Sequence, residues 1–444
     1  MASDSMKKSV RHYGNMRDSG VEWLGEIPAH WNVTRIKYAA QLSPTCDIKR
    51  LNSDAMITFT PMECIHDGYF DNKSVPLSSI KGTYTPYAEG DIVLAKVTPC
   101  FENGNISVME ELASGYGLGS SELFVLRPYA INKWYLFYYL RNEQFIQRAC
   151  ANMTGTGGLK RIPSTFIQNY PLLLPSPEEQ ESISKYLNDK CAQIDSLISE
   201  VESTIKEYVN WKSSIIYEAV TKGLNPNVEM KESGVEYLGK VVSSWNIVRL
   251  KFLLSTPLQY GANEAGLTYD KQLPRYIRIT DISLDGQLKT VGMQSVSEEV
   301  AQKYLLDEGD ILLARSGATA GKSFYYKSEY GRSAFAGYLI RAKINPDKAL
   351  PKYIYYTTLG AGYDMWRSST LIQSTIQNIS AARYNEYVIA LPSIPEQRKI
   401  VGFLDKICSS IDDLIAEKNA LIAELESYKK SLIFEVVTGK RKVV

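Results

Sequence analysis

Two long stretches of the chain carry hydrophobic residues in alternating steps of four and three, the 3.5-residue period of a helix that pairs with another helix. The first stretch follows Pro175 and Pro177, and the second follows Pro392 and Pro395. Proline is accepted in the first turn of a helix but not in its interior, so these prolines mark two helix starts. We predict that the two helices pair with each other. The predicted seam consists of Leu187, Cys191, Ile194, Ile198, Ile205, Leu404, Cys408, Ile411, Ile415, Ile422 and Leu425.

Both predicted helices also end alike. VTKG begins at Val220 and VTGK at Val437, so each helix is followed by a glycine, the residue that most often ends a helix. From Glu178 to Val220 the first helix would extend about 65 Å. The alternative is that each helix packs only on the globular segment before it, without a helical partner.

The segments that precede the helices have a different pattern. Short runs of β-branched and aromatic residues alternate with turn signals such as Asp67-Gly68 and Asp285-Gly286, which is typical of β-hairpins. One aromatic run in each segment, Trp134–Leu140 and Lys352–Tyr356, is predicted to be a helix packed on the sheet. Exposed rings can stack on single-stranded bases, but the similar context of both runs favours the core. The predicted fold class is α+β, with mixed helices and strands.

The pattern occurs twice because the chain is an internal duplication. Three pairs of segments recur in the same order and at a nearly constant separation. They are DSGVEWLGEIPAHWNVTRIK from Asp18 and ESGVEYLGKVVSSWNIVRLK from Glu232, EGDIVLAK from Glu89 and EGDILLAR from Glu308, and LPSPEEQ from Leu174 and LPSIPEQ from Leu391. The repeat predicts two copies of one structural unit, each a globular domain followed by a long helix.

The repeat also sets the predicted domain boundaries. They are an N-terminal tail at residues 1–17, a first globular domain at 18–175, a first helical region at 176–223, a second globular domain at 224–391 and a second helical region at 392–444. Antiparallel pairing of the helices would relate the two copies by an approximate two-fold axis. We therefore predict a pseudo-two-fold tandem repeat joined by an antiparallel coiled coil.

Composition excludes several classes of protein. With 444 residues, 44% of them hydrophobic, the chain can bury substantial cores. Its six cysteines include no C-x-x-C pair and it has three histidines, so we expect neither a zinc site nor disulfides. We expect no membrane association and a cytoplasmic location, because no hydrophobic run reaches ~18 residues and the N-terminus lacks a signal-peptide pattern. The formal net charge is +1, so affinity for nucleic acid depends on where the basic residues lie.

The sequence contains no recognisable active-site motif, so we expect a non-catalytic protein. It lacks a G-x-S-x-G elbow and an H-E-x-x-H pair. Gly317–Ser323 resembles a phosphate-binding loop, but its glycines enclose three residues where such a loop needs four. The first copy has Lys96-Val-Thr-Pro-Cys at this place and no such pattern. We interpret the segment as a loop after a strand that can approach a phosphate backbone.

In its duplication, its LPSPEEQ and LPSIPEQ blocks, SGVEWLG with SGVEYLG, and its closing VTKG and VTGK segments, the chain resembles the specificity subunit of type I restriction-modification systems. The resemblance extends from Asp18 onward. It implies that each globular domain is a target-recognition domain, that the helices form an antiparallel spacer, and that the subunit has no active site. The expected function is to read a gapped DNA site whose two short halves differ in sequence.

The same resemblance implies the partners. Double-stranded DNA, two methyltransferase subunits and, through the complex, restriction motor-nuclease subunits are expected, so that the site directs adenine methylation or restriction. A tandem repeat gives one chain the two-fold symmetry that two methyltransferases on opposite DNA strands require. No cofactor is expected on this chain, because the resemblance assigns S-adenosylmethionine, ATP and Mg²⁺ to the partner subunits.

Divergence between the copies indicates candidate DNA-contacting residues, since two copies that read different bases must differ there. The most divergent segments are polar, as expected of loops: 97–118 against 316–335, 154–162 against 368–380, and the region around 260–275. Arginine pairs with guanine and glutamine with adenine, while lysine and threonine more often hold phosphates. The candidates are Lys96, Thr98, Asn103, Thr156, Lys160, Arg161, Arg275, Arg278, Arg315, Thr319, Lys322 and Gln373.

Three other functions are compatible with the residues alone. A coiled-coil protein–protein scaffold would bind no DNA, whereas binding to DNA phosphates falls steeply with salt. A phosphate-loop enzyme centred on Lys322 would bind nucleotide. A specificity chain from a related restriction system with a fused catalytic partner is closer to the main interpretation, and gene neighbours would distinguish it.

Overall fold

The computed structural model describes residues 12–155, 159–283, 286–372 and 378–443. Packing divides the chain into two compact units, Met1–Val201 with Ala420–Val444, and Glu202–Asn419. We call these unit 1 and unit 2. Their bounds differ from the chain-order domains predicted from the sequence, because the residues of each long helix are divided between the two units.

Unit 1 contains a lobe of short strands and three short helices. Its strands are β1 (Met16–Asp18), β2 (Glu26–Pro28), β3 (Asn32–Arg35), β4 (Ala40–Leu42), β5 (Met56–Thr60), β6 (Ser74–Pro76), β7 (Thr85–Ala88), β8 (Ile92–Ala95), β9 (Ile106–Val108), β10 (Tyr116–Gly119), β11 (Leu123–Pro128) and β12 (Pro171–Leu174). Its helices are α1 (Lys133–Leu140), α2 (Glu143–Ala151), α3 (Ser164–Asn169) and the beginning of the long α4 (Pro177–Lys222).

Two four-stranded sheets form this lobe, in the orders β6-β5-β10-β7 and β4-β11-β8-β9, beside the pairs β1-β2 and β12-β3. Strands β5 and β10 are parallel, and the other pairs are antiparallel. Strand β8 is buried on both faces, as its sequence Ile-Val-Leu-Ala favours. Hairpin-like pairing at Asp67-Gly68 appears as a bridge between Ile65 and Phe70.

The aromatic run of α1 lies in the core of unit 1. Asn132 caps the helix by accepting hydrogen bonds from the backbone N–H groups of Trp134 and Tyr135. The fully buried Tyr135 donates its hydroxyl to the carbonyls of Leu173 (3.2 Å) and Val437 (3.3 Å). These buried rings are therefore packing residues, as the pattern predicts, and not exposed platforms for bases.

Unit 2 repeats this lobe. Its strands are β13 (Met230–Glu232), β14 (Lys240–Val242), β15 (Asn246–Arg249), β16 (Gln259–Tyr260), β17 (Leu267–Thr268), β18 (Arg275–Ile277), β19 (Gln294–Ser295), β20 (Ile311–Ala314), β21 (Ser323–Tyr325), β22 (Ser333–Phe335), β23 (Leu339–Ala342) and β24 (Val388–Leu391). Its helices are α5 (Glu298–Ala301), α6 (Pro351–Thr357), α7 (Ala361–Ile372), α8 (Ala381–Asn385) and the beginning of the long α9 (Ile394–Val437).

The sheets of unit 2 follow the plan of unit 1 except at the edges of one sheet. There β17 is added beside β19, and no strand among the described residues takes the place of β7. The sheet orders are β16-β23-β20-β21 and β17-β19-β18-β22, beside the pairs β13-β14 and β15-β24. The parallel pair of β18 with β22 recurs at the place of β5 with β10. Tyr353 on α6 repeats the core contact of Tyr135, donating to the carbonyls of Ala390 (2.7 Å) and Val220 (3.3 Å). The mixed fold and the tandem repeat predicted from the sequence are confirmed.

The Glu-Gln of each LPSPEEQ-type block fixes the start of a long helix to its lobe. In unit 1, Trp31 Nε1 donates to Glu179 Oε2 (3.2 Å). The Gln180 amide accepts from the N–H of Asn132 (2.8 Å) and donates to the carbonyl of Pro175 (2.9 Å). The same contacts recur in unit 2 between Trp245 and Glu396 (3.0 Å), Leu350 and Gln397 (2.8 Å), and Gln397 and Pro392 (2.9 Å).

The long helices α4 and α9 have 46 and 44 residues. In unit 1 the beginning of α4 packs against the end of α9, and in unit 2 the end of α4 shares a core with the beginning of α9, so the pairing is antiparallel. No described helix is long and apolar enough to cross a membrane.

Every predicted seam position is at least partly buried. The buried ones are Leu187, Cys191, Ile194, Leu404, Cys408 and Ile411, and the half-buried ones are Ile198, Ile205, Ile415, Ile422 and Leu425. Two paired helices cover only one face of each other. Side chains at the edge of that face therefore stay partly exposed to solvent, which explains the half-buried seam positions.

Candidate nucleic-acid interface

In unit 1, three segments meet beyond the paired ends of β8 and β11. Ala95, the last residue of β8, faces Leu123, the first residue of β11. Just beyond this pair, Lys96 N–H donates to the carbonyl of Glu122 (3.0 Å), and the carbonyl of Lys96 accepts from Ile162 N–H (2.9 Å). The main chain therefore holds together the loop after β8, the residue before β11 and the segment before α3.

The side chains at this junction form an ion-pair cluster. Arg161 donates from Nε (3.0 Å) and Nη2 (2.7 Å) to the two carboxylate oxygens of Glu122. Lys96 Nζ lies 3.9 Å from Glu122 Oε2 and donates to the carbonyl of Ser121 (2.7 Å). The hydrogen bond from Arg161 lowers the pKa of Glu122, which favours the charged carboxylate. We call Lys96, Glu122 and Arg161 strand-end cluster 1.

Three further candidates of the first copy lie in the same pair of loops. Thr98 N–H donates to the carbonyl of Lys160 (3.1 Å), and the Thr98 hydroxyl accepts from Lys160 N–H (3.0 Å). Asn103 is exposed on the next turn, where its N–H donates to the carbonyl of Pro99 (3.0 Å). Thr156 lies outside the described residues. The fold thus gathers Lys96, Thr98, Lys160 and Arg161, and their contact with DNA stays a prediction.

Unit 2 reproduces this backbone junction. Arg315 N–H donates to the carbonyl of Tyr338 (2.9 Å), and the carbonyl of Arg315 accepts from Ile379 N–H (2.8 Å). Asn378 forms an isolated bridge with Ser316, as Arg161 does with Val97. The equivalent positions are therefore Arg315 for Lys96, Tyr338 for Glu122, and Asn378 for Arg161.

The side chains at the junction of unit 2 are different. Arg315 Nε donates to Asn378 Oδ1 (3.3 Å), and the guanidinium carbon of Arg315 lies 5.1 Å from the ring centroid of Tyr260. Tyr338 is 61% exposed. We call Arg315, Tyr338, Asn378 and Tyr260 strand-end cluster 2. Cluster 1 contains two cations and a carboxylate, whereas cluster 2 contains one cation and no carboxylate.

Sequence reasoning missed Glu122, Tyr338, Asn378 and Tyr260. The candidates predicted from the sequence are basic, hydroxyl and amide side chains in loops, so they include no carboxylate and no aromatic ring. The available signal was the position just before β11 and β23, where two otherwise similar copies have glutamate and tyrosine.

The candidates Thr319 and Lys322 lie in a turn between two strands. Gly317–Thr319 forms a 3-10 turn, and Lys322 N–H donates to the carbonyl of Thr319 (3.0 Å). Strand β21 follows at once, whereas a phosphate-binding loop leads into a helix whose N-terminus faces the phosphate. The geometry agrees with the rejection of a nucleotide site from the glycine spacing.

Two other candidates of the second copy contact their own lobe. Arg278 donates to both carboxylate oxygens of Asp281 (3.0 and 2.7 Å) and to the carbonyl of Gly292 (2.8 Å). Arg275 donates to the carbonyl of Lys289. Neither side chain belongs to cluster 2, and their role at DNA stays a prediction. Gln373 lies outside the described residues.

The described residues offer little for covalent or metal chemistry. No group of three or more His, Cys, Asp or Glu side chains among them could hold a metal ion. Burial raises the pKa of the Cys191 thiol, and raises that of Cys408 to about 11, which disfavours the reactive thiolate. These two cysteines therefore act as small hydrophobic residues of the helix seam.

Comparison with known proteins points to a single family. The model of the type I restriction modification DNA specificity domain matches residues 67–207 and 276–425, more than half of the chain. The type I restriction enzyme EcoAI specificity subunit of Escherichia coli is 36% identical over 163 residues, which is 36% of this chain and 27% of that subunit's length. The StySPI specificity subunit of Salmonella potsdam is 22% identical over 435 residues, covering 94% of this chain and 90% of that subunit.

A solved structure shares the fold. That structure comes from work on the structural basis underlying complex assembly and conformational transition of the type I R-M system. One of its chains superposes with a TM-score of 0.68 at 16% identity, covering 93% of this chain and 98% of that chain.

Proposed function

Because the chain belongs to the type I restriction modification DNA specificity family, we propose that it is the non-catalytic subunit that reads DNA sequence for a type I restriction-modification complex. The observation that carries this proposal is the pair of strand-end clusters. Each presents polar or charged side chains on the same backbone junction, and the side chains differ at all three equivalent positions. A common framework with different side chains is what reading two different base sequences requires.

We propose that each lobe reads one half of a bipartite site whose halves differ and are separated by unspecified bases. The different chemistry of clusters 1 and 2 supports unequal halves. The paired helices support a fixed gap, because α4, at 46 residues, extends about 70 Å and its partner helix stiffens it.

The helix surfaces repeat an exposed hydrophobic pair. Ion pairs join the helices where Asp195 meets Lys429 and where Lys212 meets Asp412, each with 2.6 Å between nitrogen and oxygen. An exposed leucine two positions after the aspartate and an exposed aromatic residue just before the lysine accompany each ion pair. Helix patch 1, in unit 1, consists of Asp195, Leu197, Tyr428 and Lys429, and helix patch 2, in unit 2, consists of Asp412, Leu414, Trp211 and Lys212.

We propose that the helix patches dock two methyltransferase subunits. A surface that occurs twice in one chain can bind two copies of one partner in the same way. Exposed aromatic residues are also the side chains that most often dominate binding energy at interfaces. Restriction motor-nuclease subunits would join through the resulting complex.

Trp211→Ala should weaken the docking of one methyltransferase copy by about 10-fold, because an aromatic anchor of the interface is lost. The double variant Trp211→Ala with Tyr428→Ala should weaken the docking of both methyltransferase copies. Native mass spectrometry across a titration with the methyltransferase measures the two binding steps. Val209→Ala is the control, because Val209 is exposed on the same helix but its counterpart in the repeat is Glu426. If the double variant binds two methyltransferase copies as tightly as the wild type does, the proposed patches are wrong.

We further propose that this chain holds no cofactor of its own. S-adenosylmethionine, ATP and Mg²⁺ would be bound by the methyltransferase and motor-nuclease subunits. This chain would act in the cytoplasm on the same DNA as those subunits and would contribute sequence recognition and spacing.

Long-read sequencing of methylated adenines tests the proposed function. Cells that carry the cognate methyltransferase are compared with and without this chain. We expect a gapped two-part motif that is methylated only when the chain is present. If the complex assembles and the methyltransferase is active but no such motif appears, the DNA-reading function is wrong and the chain is a protein–protein scaffold.

A further inference from the structure

The ion pair in cluster 1 leaves one end of the Arg161 guanidinium available. Both bonds to Glu122 come from one side of the guanidinium, through Nε and Nη2. A guanidinium has five N–H donors in a rigid planar fork, so this contact leaves the end formed by Nη1 and the second N–H of Nη2. In the described part of the chain Nη1 has no protein partner, and the side chain is 48% exposed.

That free end matches one base edge. Guanine presents two acceptors, O6 and N7, in the major groove, and a guanidinium end can donate to both at once. A carboxylate that holds the other side fixes the plane of the guanidinium before DNA arrives. This preorganisation lowers the conformational entropy that the long side chain loses on binding.

Arg249 is also held from the side by a carboxylate, with its Nε 3.1 Å from Glu386 Oε2 and its side chain 53% exposed, but it lies outside both strand-end clusters. Three other arginines that pair with a carboxylate through Nε have a less exposed side chain. Arg127 pairs with Asp91 but also donates from Nη1 to the carbonyl of Thr45 (3.1 Å). Arg141 pairs with Asp67, and its side chain is 8% exposed. Arg278 pairs with Asp281 and also donates a hydrogen bond from Nη2 to the carbonyl of Gly292. The Arg161 side chain, at 48%, is thus more exposed than those of Arg127 (33%), Arg141 (8%) and Arg278 (30%).

Unit 2 offers an arginine held in a similar way from a different position. Arg315 donates from Nε to Asn378, and its guanidinium faces the ring of Tyr260. Within the described ranges, neither Nη1 nor Nη2 of Arg315 has a protein partner. The two arginines occupy different positions of the repeat, since Arg161 precedes α3 and Arg315 follows the buried strand β20. In both, the Nε side of the guanidinium is held by another side chain and the opposite end is available.

We infer that Arg161 and Arg315 each read a guanine in the major groove, so that each half of the DNA site contains a G·C pair recognised by arginine. The inference rests on the proposed function and adds the base that each lobe recognises. Glu122 and Asn378 are positioning residues, because they orient the guanidinium and need not touch the base.

The test uses this chain assembled with its methyltransferase subunits. Competition binding is measured against duplexes that each carry one base-pair change in one half of the methylated motif. Arg161→Lys keeps the charge but not the two-pronged geometry, so preference for one guanine in one half should fall about 10- to 100-fold. Arg315→Lys should do the same in the other half only. Glu122→Gln should weaken preference at the same guanine as Arg161→Lys, whereas a merely structural role would not select one base pair.

Two arginines elsewhere in the lobes serve as controls. Arg50 forms an ion pair with Asp47 and is exposed, and Arg332 commits both Nη groups to Glu298. Arg50→Lys and Arg332→Lys should leave every base preference unchanged. In each variant, retained preference in the other half-site shows that the complex is folded and assembled.

Two results would overturn this inference while leaving the proposed function intact. One is a motif in which a half-site contains no G·C pair. The other is unchanged preference at every guanine in both lysine variants. A wild-type complex without any sequence preference would instead overturn the proposed function, and this inference with it.

Discussion

The Ile411→Asp variant is expected to lose about 4 kcal/mol of free energy of unfolding in unit 2, and methyltransferase docking with it. Ile411 is 1% exposed on α9, next to the buried Cys408 in the helix seam. Aspartate at this position would bury a charge without a partner and also remove a buried apolar side chain from the predicted helix seam. Hydrogen exchange followed by mass spectrometry measures the loss as faster exchange in both paired helix segments.

Two variants calibrate this result. Ser409→Asp adds the same charge at an exposed position of the same helix and should change stability by less than about 0.5 kcal/mol. Ile198 lies at a half-buried seam position. The loss of stability in Ile198→Asp should therefore be intermediate between those of Ile411→Asp and Ser409→Asp, and methyltransferase docking should weaken because the seam is disturbed. If Ile411→Asp assembles and exchanges like the wild type, the paired-helix seam is wrong.

Trp31→Ala is expected to lower the stability of unit 1 by about 4 kcal/mol, because it leaves a large cavity. Trp31 is fully buried and donates to Glu179 at the start of α4. It also packs beside the end of α9, where a Cβ added to Gly439 would lie 3.2 Å from its ring. Loss of the ring should therefore loosen both helix ends, and hydrogen exchange in α1 and in these helix ends measures the effect.

The repeat and the surface provide matched controls for this substitution. Trp245→Ala should cause a similar loss in unit 2, since Trp245 is equally buried and donates to Glu396. Trp211→Ala removes the same side chain from an exposed position and should affect docking far more than stability. Equal destabilisation by Trp31→Ala and Trp211→Ala would argue against the role of Trp31 as a core anchor.

Local patterns in the sequence determined the architecture. The alternation of four- and three-residue steps predicted two paired helices, and α4 and α9 were found at Pro177–Lys222 and Ile394–Val437. Prolines and glycines marked their ends because these residues act on the backbone within one turn. The duplication predicted two lobes of one kind, since similar sequence segments fold alike.

The sequence also located the loops of the candidate interface, but not the partners within them. The sequence predicts Lys96, Thr98, Lys160 and Arg161 as separate loop residues, and the fold brings them to one junction. Glu122 was missed, although it lies between two of these cations. The contact of Arg315 with the ring of Tyr260 was also missed, because Tyr260 lies on a strand that is distant from Arg315 in sequence.

Tertiary structure decided which side chains meet, because strand register joins residues that are distant along the chain. Glu122 and Arg161 are separated by 39 positions and Arg315 and Asn378 by 63, so no local period connects either pair. Register also decided that Arg278 is held within its own loop while Arg161 keeps a free end. Periodicity and duplication are local properties that one sequence contains in full, whereas the contacts that orient a DNA-reading side chain exist only after distant strands have paired.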